Sequence, residues 1–382
     1  GGHAAYCRRT MESTPVVIIG GGPAGLASSA TLRQRGVDSV ILERGDTVAP
    51  AWHRHYERLH LHTQKGASGL PGLPMPKSYP QFPSRDQVAD YLTGYADHAQ
   101  VDVRLGTEVE TAERQDDGWV TTTTDGQAFR SEHVIVATGL SHTPRIPKWP
   151  GMDEFDGTIL HSNEYRNGTP WEGKDALVVG FGNSAGEIAL DLAEHGARAN
   201  LSVRHKSVVV PRAILGIPIL TIARWLSIFP PRVADFLSKP LLALLIGDIS
   251  KVGLPAADWG PLEQIATKGK VPLLDVGTMK ALKEGSIKAH PGVERFTADG
   301  VVFTDGTQLA CDVVVLGTGY IPAVEEVIAE PGPAVDEDGH PVVSGAKTPV
   351  EGLWFVGFRE PPTGRIREIG IEAERVAEAI AG

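Results

Sequence analysis

Two glycine-rich segments, PVVIIGGGPAG (15–25) and DALVVGFGNSAG (175–186), constrain the fold of this chain more than any other feature. In the first, VVII (16–19) is a β-branched run of the kind that forms a strand buried on both faces. Glycines follow, then a helix-like stretch over 23–34, then SVILERG, a second apolar strand that ends at Glu43. Gly20, Gly22 and Gly25 fit G-x-G-x-x-G, with Pro23 and Ala24 at the start of the helix. In that pattern the first glycine permits a tight turn and the second lets the backbone approach a pyrophosphate. The third lets the helix pack closely on the strand. The helix N-terminus then offers free N–H groups and the positive end of a dipole to the phosphates. An acid roughly 20 residues beyond the glycines is where a ribose hydroxyl is held. Glu43 stands there, followed by Arg44. A lone glycine motif is weak; strand, glycines, helix, strand and acid in that order form a dinucleotide signature.

The second segment repeats the first: a strand over 176–179, Gly180 and Gly182, a helix over about 184–194 and a strand over 200–203. Asn183 and Ser184 open its helix, and Ala185 takes the third small position. Its second strand ends in Arg204, with His205 and Lys206 beside it, where the first unit has an acid. A guanidinium there suits a 2′-phosphate. The pair of units therefore points to FAD at the first site and NADPH at the second. Two further strands, VIVATG (134–139) and VVVLGTGY (313–320), each run into a Thr-Gly turn, Thr138-Gly139 and Thr318-Gly319, as if returning to their own nucleotide. GLWFVGF (352–358), carrying Gly357, reads as a third strand of this kind, and a closing helix follows over about 369–381. The expected fold class is α/β, with two dinucleotide-binding (Rossmann-like) domains and the NADPH domain inserted into the FAD domain. The expected limits are 11–165 and 313–382 for the FAD domain and 166–312 for the insertion.

Composition excludes several function classes. With 36 Lys plus Arg against 47 Asp plus Glu, the net charge is −11, which leaves no broad basic face for nucleic acid. Cys7 and Cys311 are far apart, so neither a CxxC redox pair nor a cysteine-rich zinc site is expected, and no metal ligand spacing stands out. No run of 18 uninterrupted apolar residues suggests a spanning helix, and a soluble cytoplasmic protein is expected. Residues 1–10, before Met11, read as a leftover expression tag. Residues 213–247 are unusually apolar, interrupted by Arg224, Arg232, Asp235, Lys239 and four prolines. They read either as short buried helices covering a cleft, or as a patch for peripheral membrane contact or substrate access. Oligomeric state is not legible.

Between the two glycine units lies FDGTILHSNEY (155–165), which matches F-x-G-x-x-x-H through Phe155, Gly157 and His161. Here the chain resembles the class B flavin-containing monooxygenases. Tyr165 stands where the Baeyer–Villiger branch has Trp, so the likeness is to the heteroatom-oxygenating and YUCCA-type (indole-3-pyruvate monooxygenase-like) branch. RLHLHTQK (58–65), the YPQFPSRDQVADYL run (79–92), VVVPR (208–212) and GPLEQIATKGKVPLLDVGTMKALKEGSIKAHPGVERF (260–296) extend the resemblance over nearly all of 15–380. Thr63-Gln64-Lys65 departs from the family's usual Leu-Pro-Lys, and Ala185 from its usual Gly.

The resemblance implies that NADPH reduces FAD, that O₂ adds to give a C4a-hydroperoxyflavin, and that one oxygen atom passes to a small organic substrate. It places Trp52 and Arg58 near the isoalloxazine or its ribityl chain, with Leu61 and His62 among the cofactor-binding residues. Gln64, Lys65 and Asn183 become the catalytic candidates, the first two contacting the hydroperoxide. His161 is expected to shape the link between domains, and His60 and His62 alternate as packing residues do. The substrate is an aromatic 2-oxo acid, oxygenated with decarboxylation, or an amine or thioether. An NADPH oxidase or flavin reductase releasing hydrogen peroxide is the alternative, and a flavin-binding sensor or scaffold without turnover is a third.

Overall fold

The computed structural model describes residues 11–382 apart from 116, 227, 269–270 and 360–363. Residues 1–10, with Cys7 and the tag reading, lie outside the described residues. The two glycine segments organise two parallel five-stranded sheets. The strands are β1 (Val16–Ile19), β2 (Ser39–Leu42), β3 (Asp102–Arg104), β4 (His133–Val136), β5 (Thr158–His161), β6 (Asp175–Val179), β7 (Arg198–Ser202), β8 (Ile287–His290), β9 (Val313–Leu316) and β10 (Leu353–Phe355). The first sheet runs β10-β4-β1-β2-β3 and the second β5-β9-β6-β7-β8, every pair parallel. The two orders are equivalent, position for position. Each sheet has a glycine strand in the middle, the second strand of its nucleotide unit on one side and the Thr-Gly strand on the other.

The outermost strand is where the repeat is wired differently. In the first sheet it is β10, from the far end of the chain; in the second it is β5, which precedes the glycine strand. Thus the F-x-G-x-x-x-H segment is the structural counterpart of GLWFVGF. The sheets also revise the expected domain limits. Residues 158–161 and 313–316 both lie in the second sheet, outside 166–312, so the crossings between lobes fall before 158 and after 316. A β-branched run predicts a strand, but which sheet it joins is decided by tertiary pairing.

Helix α1 (Pro23–Gln34) and helix α2 (Asn183–Glu194) follow the two glycine strands. The buried residues of α1 pack on β1 and on a C-terminal helix, and Thr31 Oγ1 donates to the Ala373 carbonyl at 3.2 Å. Between α2 and the close of the second sheet lie helices α3 (Ile219–Leu226), α4 (Pro231–Leu245) and α5 (Pro261–Lys268). The chain ends in α6 (Arg365–Ala381). The reading of 213–247 as buried helices is corrected here. Ala234 and Asp235 face inward, but Trp225, Ile228, Phe229, Phe236, Leu237 and Leu244 are exposed. Among the described residues no helix is long and apolar enough to cross a membrane.

Candidate active site

Both glycine loops are built as their spacing requires. Gly20 has φ +107° and Gly180 φ +120°, values a side chain rarely allows. A Cβ at Gly25 would overlap the Gly20 carbonyl, so only glycine lets α1 approach β1 this closely. In the second unit the third position is Ala185. The room comes from the neighbouring Thr-Gly turn, where a Cβ at Gly317 would stand 2.6 Å from the Ala185 Cβ. At the middle glycines, Gly22 and Gly182, a Cβ would meet nothing within 4 Å. Open space therefore lies before each helix. Neither α1 nor α2 has a side-chain cap or an acid in its first turn, so their first N–H groups remain for an anion. This fits a pyrophosphate at each helix start.

The two loops open into one shared cleft of about 1800 Å³. On the first side it is lined by Gly20, Gly22, Pro23, Ala24, Glu43, Arg44, Trp52, Leu61, His62, Thr138, Gly139 and Gly357. On the second side it is lined by Gly180, Gly182, Asn183, Ser184, Ala185, Arg204, Lys206, Thr318 and Gly319. Glu43 is buried, and its two oxygens accept from the Gly21 and Gly45 N–H groups, each at 2.7 Å. A carboxylate has about four acceptor sites, so two remain for ribose hydroxyls. The Thr138 hydroxyl is buried without a partner on this wall. Arg204 is exposed at the far end, whereas Lys206 is engaged by Asp258, which leaves Arg204 the better placed for a 2′-phosphate. Asn183 Oδ1 accepts from the Leu274 N–H at 2.8 Å, which fixes the amide with its NH₂ group as the donor for a ligand.

Other expected residues sit elsewhere. Gln64 and Lys65 line a separate, smaller hollow, and the Lys65 ammonium donates to the Lys77 and Tyr79 carbonyls. Arg58 does not line the cleft; it pairs with Glu194 at the end of α2. His161 bridges the Asn163 side chain at 3.1 Å and the Gly319 carbonyl at 3.0 Å, tying β5 to the Thr-Gly turn. Gly157 is forced by the Phe155 ring and the Asp312 carbonyl, either of which a Cβ would crowd.

Sequence reasoning missed a polar seam along α2. Glu187 and Asp191, one turn apart, are both buried; Glu187 faces residues from the first lobe and Asp191 faces Tyr165 of its own lobe. His62 Nε2 stands 3.1 Å from Glu187 Oε1, and the buried Tyr56 lies beside Ser184 and Glu187. The Tyr165 hydroxyl donates to Asp191 at 2.7 Å. Buried carboxylates are retained where such partners meet them, and the i, i+4 spacing of 187 and 191 was the only signal available. A second group surrounds His55 on the cleft wall. Burial first, then Arg166, Arg365, Arg85 and Arg54, pushes its imidazole down to about 4, so it is neutral near pH 7. Of those arginines, Arg54, Arg166 and Arg365 line the cleft.

Comparisons with known proteins agree with this geometry. A family model described as pyridine nucleotide-disulphide oxidoreductase matches residues 17–213. Indole-3-pyruvate monooxygenase YUCCA4 from Oryza sativa subsp. japonica is 39% identical over 92% of this chain and 84% of its own. Probable indole-3-pyruvate monooxygenase YUCCA1 from Arabidopsis thaliana is 38% identical over 90% and 84%. A flavin-containing monooxygenase structure from Stenotrophomonas maltophilia superposes with a TM-score of 0.75 at 23% identity, over 97% of this chain and 98% of that one, and shares the fold. The chain thus belongs to the YUCCA-type flavin monooxygenases within the pyridine nucleotide-disulphide oxidoreductase family.

Proposed function

We propose that this enzyme uses FAD and NADPH to oxygenate an aromatic 2-oxo acid of the indole-3-pyruvate kind. The observation that carries the reading is one cleft shared by two glycine loops, with an acid at one nucleotide position and a guanidinium at the other. The α1 loop and Glu43 would hold FAD; the α2 loop, Ser184 and Arg204 would hold NADPH. When bound, these groups supply hydride transfer and oxygen activation. The chain's own part is to bind and orient them and to exclude water. Helix starts hold the phosphates, Trp52 and Leu61 provide apolar wall, the Glu187–His62 contact ties the flavin-side segment to α2, and the Asp191–Tyr165 bond holds α2 within its own lobe. Arg54, Arg166 and Arg365 raise the positive potential around His55, which favours a substrate carboxylate over an amine. Relatives named for indole-3-pyruvate support the same class.

A peroxide-releasing NADPH oxidase is the rival reading, favoured by the placement of Gln64 and Lys65 outside the cleft. The two are separated by measuring NADPH consumed and hydrogen peroxide released with indole-3-pyruvate, phenylpyruvate, amines and thioethers. The proposal predicts that a 2-oxo acid suppresses peroxide release and is consumed in step with NADPH. Stoichiometric peroxide with every compound selects the rival.

A further inference from the structure

The exposed apolar residues of α4 are Val233, Phe236, Leu237, Leu241, Leu244 and Leu245. Their i, i+3, i+4 spacing lays them in one stripe along the helix. Trp225 near the end of α3, and Ile228 and Phe229 between α3 and α4, are exposed as well, Ile228 at 83%. Leu215, 98% exposed, projects from the preceding turn with φ +50°. Single exposed apolar residues are ordinary on a protein surface, but a contiguous face of this extent marks an interaction site. Its own charges are mostly cationic. Residues 213–247 hold the cations Arg224, Arg232 and Lys239 and the single acid Asp235. Asp235 is buried, with its oxygens accepting from the Leu262 and Glu263 N–H groups at 3.0 and 2.9 Å at the start of α5. The acid is turned inward to cap a neighbouring helix, while Arg232 and Lys239 are exposed, Arg232 also donating to Glu263 Oε1 of α5 at 2.9 Å.

We propose that the outward face of α3 and α4 seats on an anionic phospholipid bilayer without spanning it. An apolar stripe with aromatic and basic flanks is the composition that rests at the boundary of headgroups and acyl chains. A chain of net charge −11 is repelled by such a surface over most of its own, so this basic, apolar face also sets the orientation of docking. A second copy of the chain fits less well, because pairing the same face on itself brings Lys239 towards its own counterpart. The face is continuous with the cleft. Leu220 of α3 lines it, and Gln81 Nε2 donates to the Gly216 carbonyl at 3.1 Å, tying the turn before α3 to the flavin-side segment. Docking therefore holds the mouth of the cleft close to the lipid.

The test is flotation of the full-length flavoprotein with vesicles of phosphatidylcholine alone and of phosphatidylcholine mixed with phosphatidylglycerol. The protein is expected to float with the mixed vesicles, less with the neutral ones, and to be partly released by salt. Phe236→Ser with Leu244→Ser is expected to weaken partitioning roughly 100-fold while flavin content and circular dichroism stay unchanged. Arg232→Glu with Lys239→Glu is expected to abolish the preference for anionic vesicles. The proposal is overturned if the unmodified protein stays in solution with both vesicle types. It is equally overturned if sedimentation instead shows a concentration-dependent dimer that the Phe236→Ser, Leu244→Ser variant loses. Flotation requires no turnover, so its failure is distinct from failure of the proposed function.

Discussion

Replacing Glu43 separates cofactor binding from structural support, because the carboxylate serves both. In the folded chain it accepts from Gly21 N–H, which is buried, and from Gly45 N–H, which is partly buried. Glu43→Ala leaves two donors without a partner, at about 1–3 kcal/mol each. Water reaches the Gly45 side, so the expected loss for the flavin-free protein is about 3 kcal/mol rather than the upper sum. Glu43→Gln keeps one carbonyl acceptor and should retain much of that stability. Both variants lose the charge-assisted bond to a ribose hydroxyl, worth about 1.5–3 kcal/mol, and so should bind FAD roughly 10–150 times more weakly. Urea unfolding of the flavin-free proteins and FAD titration of each measure the two effects apart. Unchanged FAD affinity in Glu43→Gln would refute the ribose assignment. Unchanged stability in Glu43→Ala would refute the structural one.

Three further outcomes follow from the same geometry. Arg204→Ala should weaken NADPH roughly 10–100-fold and leave NADH nearly untouched, as read by titration; equal effects on both would remove the 2′-phosphate assignment. Gly317→Ala forces a methyl against Ala185, and should cost about 1–3 kcal/mol in thermal unfolding; adding Ala185→Gly should restore part of it, and no recovery would mean the strain lies elsewhere. His55 has its folded pKa depressed from 6.5 to about 4, chiefly by burial, so the unfolded chain binds the proton first. Its contribution is complete above pH 6.5 and is lost as pH falls towards 4. His55→Gln should flatten the loss of stability across that window, and an unaltered slope in urea midpoints would argue against the buried neutral imidazole.

The glycine units were readable because each step of their physics is local. Pro23 can start a helix, Gly20 must take a positive φ, and a short β-branched run before a glycine turn favours a strand. The expected helix over 23–34 is the one observed, and Glu43 and Arg204 lie just beyond strands that end at Leu42 and Ser202. What escaped was set by distant partners. Nothing in TILH tells which sheet it joins, and its pairing with β9 came only with the fold. Glu187 reads as an ordinary helix surface residue until His62 and Tyr56 arrive from the other lobe. Gln64 and Lys65 follow the residues that line the cleft, but the turn after Thr63 aims the ammonium at two carbonyls instead. Residues 213–247 look like core by composition. They differ from core in that Trp225, Ile228, Phe236, Leu237 and Leu244 lie exposed, which depends on how the helices pack and not on composition.

Anaerobic mixing of the FAD-loaded enzyme with NADPH, followed at the visible flavin band, tests the central claim most directly. If both dinucleotides occupy the one cleft as argued, the band bleaches rapidly with NADPH and far more slowly with NADH. If NADPH binds but the flavin stays oxidised, the two ligands do not meet there, and the account is contradicted.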